Sequence, residues 1–146
     1  MPELVLFHHA LGLTAGCLAF ADEVRAAGHV VHAPDLFEGK TFTERADARA
    51  YTKEVGHDTI IERGRLAAES LPTEIVYAGF SLGVLPAQML AQTRPGAKGA
   101  LLFHAAIPTS EFGRPWPQGV PLQIHTMERD ELGDVDVARE LADTIE

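Results

Sequence analysis

A chain of 146 residues, 46% of them apolar, is long enough for one domain with a buried core and too apolar to be disordered. A formal net charge of −9, without a basic stripe or tail, argues against nucleic acid and anionic membrane as partners. One cysteine, Cys17, excludes an intrachain disulfide and a cysteine-based metal site.

The N-terminus carries no signal-peptide pattern, and no run approaches the ~20 apolar residues of a membrane span, so a cytoplasmic, reducing setting is expected. Leu4–Phe7 reads as the first strand. Thr14–Ala27 reads as a helix, with Thr14 as N-cap, Gly28 past its end, and Phe20, Val24 and Ala27 on its buried face. His29–Ala33 is a second strand, stopped by Pro34. Two helical patterns follow, about Thr43–Val55 and Asp58–Leu71, the second weakened modestly by Gly64. Glu74–Ala78 is a third strand, and a helix begins at Val84 and breaks at Thr93-Arg94-Pro95-Gly96. Ala100–Phe103 is a fourth strand, Ile107–Gly119 a proline- and glycine-rich loop, Pro121–Thr126 a fifth strand and Val135–Ile145 a final helix. Strands this apolar, alternating with helices, are buried on both faces, which implies a parallel sheet covered by helices. Right-handed crossovers leave few topologies, and the reading adopted is one α/β domain over residues 1–146 with five parallel strands in the order 2-1-3-4-5.

Between the third strand and its helix stands Gly79-Phe80-Ser81-Leu82-Gly83. A serine at the apex of a strained strand-to-helix turn is the nucleophile-elbow pattern, with glycines where side chains would collide. The helix N-terminus behind it favours a developing anion. A serine hydroxyl needs a base, nearly always a histidine oriented by a carboxylate. Asp130, after the fifth strand, is the candidate acid, with Glu128, Glu131 and Asp134 as rivals in the same loop. No histidine follows His125. The oxyanion donors expected are the backbone N–H of Leu82 and one from His8-His9-Ala10-Leu11-Gly12, Ala10 first and Leu11 next. His8, His9 and His104 fall where they could line a pocket, and His9 could stand in as base. Cys17 reads as a small buried hydrophobe and Asp35 as a loop anchor. No His/Asp/Glu grouping has metal-ligand spacing, so no metal is expected.

These features together resemble the dienelactone hydrolase family. The resemblance rests on Leu6-Phe7-His8-His9-Ala10-Leu11-Gly12-Leu13, on Gly28-His29-Val30-Val31-His32-Ala33-Pro34-Asp35-Leu36-Phe37, on the pentapeptide, and on Val120-Pro121-Leu122-Gln123-Ile124-His125 with Asp130. It implies a three-layer α/β-hydrolase core hydrolysing small esters or lactones without a cofactor. It implies Ser81 as nucleophile, Asp130 as acid, and Ala10 and Leu82 as oxyanion donors. Founding members carry cysteine where Ser81 stands and glutamate where His9 stands. Measured against the family, the segment with the last strand, the catalytic histidine and the closing helix is expected to be absent, leaving an incomplete domain with impaired turnover. The alternative is a non-catalytic binding or dimerisation module, a homodimer pairing through an open sheet edge. A flavodoxin-like cofactor protein would share the strand order but would need a phosphate loop this sequence lacks.

Overall fold

The computed structural model describes residues 3–125. In chain order they form β1 (Glu3–Phe7), α1 (Ala15–Ala26), β2 (Val30–His32), α2 (Arg45–Val55), α3 (His57–Glu69), β3 (Val76–Phe80), α4 (Val84–Thr93), β4 (Gly99–Phe103) and β5 (Leu122–His125). Short 3-10 turns occupy Ser81–Gly83 and Thr109–Phe112. The sequence-predicted helix Val135–Ile145 and the loop holding Asp130 lie outside the described residues.

All four strand pairings are parallel, in the order β2-β1-β3-β4-β5. Each strand has two apolar faces because the sheet has helices on both sides. Leu4, Leu6, Val31 and Ala78 pack with Ala21, Phe20 and Val24 of α1. Val5, Phe7, Tyr77 and Leu102 pack on the opposite face with Tyr51, Ile60, Val84 and Ala87 from α2, α3 and α4. The division follows from handedness. The chain moves one way from β1 to β2 and the other way from β2 to β3 and β3 to β4, so right-handed crossovers put the connecting helices on opposite faces. The reversal lies between β1 and β3, and the loops leaving their C-terminal ends open the crevice where such sheets place their sites.

The local signals for α1 hold. Thr14 accepts a hydrogen bond from Cys17 N–H at 3.5 Å, and Gly28 takes φ +99° just past the helix end. Its buried face differs from the expected one: Cys17 and Ala21 are buried, Phe20 and Val24 flank them, and Ala27 is an exposed C-cap. The helix ends before Ala27, which leaves that residue no strand to cover. β3 also runs two residues beyond the expected Ala78, because Gly79 and Phe80 continue the ladder opposite Leu102 and Phe103 of β4. Gly64 is more than a weak helix former. A Cβ there would stand 2.4 Å from the Pro86 ring, so its missing side chain lets α3 approach α4.

Candidate active site

Ser81 closes β3 with φ +53°, a left-handed conformation that costs a non-glycine residue on the order of 1–3 kcal/mol unless its surroundings impose it. The surroundings here are backbone. A Cβ on Gly79 would lie 2.3 Å from Gly83 O, so the turn folds onto itself. A Cβ on Gly83 would lie 2.3 Å from Phe7 O and 2.6 Å from His8 O, so the turn also presses against the end of β1. Leu82 follows in the 3-10 turn that leads into α4, and Ser81 is half-buried at the sheet edge.

The loop after β1 is held from several sides. Gly12 N–H donates to His9 O at 3.0 Å, and Phe42 N–H donates to Leu11 O at 2.8 Å. Leu11 N–H donates to His9 Nδ1 at 3.2 Å, so the His9 ring braces the loop. The His9 ring and backbone also hydrogen-bond Cys17. Burial pushes the Cys17 thiol up, but these bonds outweigh it and leave the thiol below its ordinary value. Cys17 is buried, as its sequence reading implies, and it ties α1 to this loop.

His8 lies beneath the loop and is fully buried, both ring nitrogens committed. Leu36 N–H donates to Nε2 at 2.9 Å, which leaves Nδ1 as the protonated nitrogen, donating to His9 O at 2.8 Å. The ring also packs edge-on against Phe37. Its role is to join the β1 and β2 loops, which removes it from the pocket-lining set. Burial holds its pKa below the ordinary 6.5, against the opposing pull of the His9 carbonyl and Asp35. The unfolded chain then takes up a proton before the folded one does. Stability should therefore fall as pH drops below 6.5, and His8→Gln should flatten that slope in urea titrations run at stepped pH. Asp35 anchors its own loop, accepting from Phe37 N–H at 2.8 Å and Gly39 N–H at 2.9 Å.

His104 leaves β4 beside the elbow with φ +66°, and its N–H donates to His125 O at 2.7 Å. The loop it begins is clamped to α4 by glutamines that the sequence pattern does not single out. Gln88 Nε2 donates to Ile107 O, Ile107 N–H returns a bond to Gln88 Oε1 at 3.0 Å, and Gln92 Nε2 donates to Arg114 O at 2.8 Å. Both glutamines are buried. The one signal for them along the chain is two amides a turn apart in an otherwise apolar helix. Trp116 is buried in the same loop and donates Nε1–H to Val120 O at 2.9 Å. Among the described residues, no group of three His, Cys, Asp or Glu is placed to hold a metal, and no helix is long and apolar enough to cross a membrane.

A left-handed serine between a central parallel strand and its crossover helix, facing a braced loop from the neighbouring strand, is the architecture of the α/β-hydrolases. The chain belongs to the dienelactone hydrolase family, whose model matches residues 1–146. Among solved structures it is similar to a dienelactone hydrolase-like promiscuous phosphotriesterase from metagenomic libraries, at TM-score 0.77 and 17% identity over 99% of this chain and 64% of that one. It is also similar to the protein m3DLH, at TM-score 0.76 and 19% identity over 98% of this chain and 64% of that one. An extracellular α/β-hydrolase from a Paenibacillus species matches 74% of this chain and 42% of its own, at TM-score 0.55 and 23% identity. The chain thus spans just under two thirds of the length of the first two, 64% in each case. No curated protein sequence matches it.

Proposed function

We propose that this chain is a serine hydrolase of small carboxylic esters or lactones, working through an acyl-serine intermediate. The observation that carries the reading is the left-handed backbone at Ser81, enforced by the packing at Gly79 and Gly83. Ser81 Oγ attacks the carbonyl, and the N–H groups of Leu82 and Ala10 hold the oxyanion, each donor worth roughly 3 kcal/mol of barrier. The bond from Leu11 N–H to His9 Nδ1 supports Ala10 over Leu11, since one of the two loop amides is already engaged. Asp130 serves as the orienting acid. A cytoplasmic setting and the absence of a cofactor belong to the same reading.

The test is covalent capture with a fluorophosphonate probe, followed by peptide mapping. An adduct on Ser81, absent from Ser81→Ala, supports a hydrolase. Its absence at high probe concentration favours a non-catalytic binding or dimerisation module. A second observation leans toward that module: an apolar groove of about 330 Å³ beside α1, lined by Leu4, Phe20, Val24, Val76 and Leu101.

A further inference from the structure

The loop after β1 is gripped at both ends, and Ala10 lies between the grips. At the near end the carbonyls of Phe7 and His8 back onto Gly83 of the serine turn. At the far end Leu11 and Gly12 meet the connection from β2 to α2. Phe42 N–H donates to Leu11 O at 2.8 Å, and Gly12 pairs with Thr41 in an isolated antiparallel bridge. The amides of Leu11 and Gly12 are already engaged, by His9 Nδ1 and His9 O. Among the described residues nothing accepts from the half-buried Ala10 N–H, which leaves it a donor for solvent or a ligand.

The connection that grips the far end is itself fixed to the core. The Phe42 ring packs on Phe37 and Tyr51, with centroids 6.0 and 5.5 Å away, and both of those rings are buried. Lys40 N–H donates to Phe37 O at 3.1 Å, and its ammonium lies 4.9 Å over the Tyr51 ring. Leu36 is tied through both backbone groups, its N–H to His8 Nε2 and its carbonyl to Arg63. Gly12 records how closely this connection approaches the loop. It has φ +99°, and a Cβ there would stand 2.5 Å from Lys40 O and 3.2 Å from Thr41 Cα. Ordinary contact begins at about 3.4 Å, so a side chain at position 12 drives the two segments apart by about 1 Å. A shift of that size in a reacting geometry costs on the order of 100-fold in rate.

We propose that Phe42 and Gly12 are positioning residues for the oxyanion hole, the clip between the β1 loop and the segment 40–42 setting where the Ala10 N–H points. This rests on the serine hydrolase reading and deepens it. Neither residue touches the substrate. Phe42 acts through Leu11, and the absent side chain of Gly12 lets the clip close. Placement matters because the substrate oxygen carries its full charge only in the tetrahedral state, and a donor aimed elsewhere gives nothing at that moment.

The experiment compares acylation by p-nitrophenyl acetate with acylation by its thiono analogue, whose C=S sulfur is a poor hydrogen-bond acceptor. Gly12→Ala should slow the oxygen ester about 100-fold at saturation, leave its half-saturating concentration within about twofold, and slow the thionoester less than about fivefold. Gly39→Ala is the control, since it also places alanine at positive φ but in open space, and both of its rates should stay within about twofold of the parent. Phe42→Ala keeps the backbone donor but loses the ring that anchors it, and should show the same selective loss at about 10-fold. Phe42→Leu, which restores an apolar anchor, should recover most of that rate. If Gly12→Ala does not fold, the Phe42 pair carries the same comparison. An oxygen-ester rate within twofold of the parent in folded Gly12→Ala or Phe42→Ala overturns the proposal and leaves the hydrolase reading standing. Equal losses on the two esters also overturn it, because general loosening would then be the cause. A parent chain no faster than Ser81→Ala on either ester removes the hydrolase reading and the positioning role together.

Discussion

Gly83→Ala is expected to destabilise the protein by about 3 kcal/mol or more, lowering the melting temperature by roughly 10 °C. The cause is purely steric. Gly83 has φ −65°, which any residue adopts, so no conformational penalty enters. The new methyl would stand 2.3 Å from Phe7 O and 2.6 Å from His8 O, both backbone atoms of a central strand and the loop it feeds. A flexible side chain could swing away, but the end of β1 cannot move without disturbing its ladders to β2 and β3. Gly39 and Gly113 supply the control. Both have positive φ and nothing within 4 Å of an added methyl, so alanine there should cost only about 1 kcal/mol of backbone strain. Thermal melts of the three variants decide the matter. A Gly83→Ala protein as stable as Gly39→Ala would mean that the turn is looser than these distances require.

Replacing Ser81 by glycine should separate stability from reactivity. The substitution removes the one group proposed to form a covalent bond, so phosphonylation should fall below detection, a loss of at least about 1000-fold. It also relieves φ +53°, so the variant should unfold at the same temperature as the parent or higher. Scanning calorimetry and intact-mass analysis on one preparation read both effects. Residual labelling in Ser81→Gly would place the nucleophile elsewhere, and a clear loss of stability would show that the hydroxyl has a packing role the backbone strain does not offset.

Much of this site can be read along the chain because its signals are local. The elbow is a strand, a serine flanked at two residues' distance by glycines, and a helix, all within a short stretch. The Asp35 anchor reaches only Phe37 and Gly39, and the Thr14 cap reaches only Cys17. The parallel sheet is equally legible, since strands apolar on both faces have few alternatives. The burial of His8 is not. Its partners are the neighbouring His9 carbonyl and an amide 28 positions away, and only the second explains why the ring turns inward. Asp130 stands as a reading of the sequence alone, outside the described residues.

By itself, then, the sequence determined the order of strands and helices, the sharp turn at Ser81 and the family, because propensity, hydrophobic period and turn sterics act over a few residues. Only the tertiary structure decided what surrounds that turn. The Phe80–Phe103 register aligns the ends of β3 and β4, Gln88 fixes the loop at Ile107, and Gly83 meets the end of β1. Each is a meeting of segments distant along the chain, created by strand pairing and helix docking, and nothing in the local pattern of either partner encodes it.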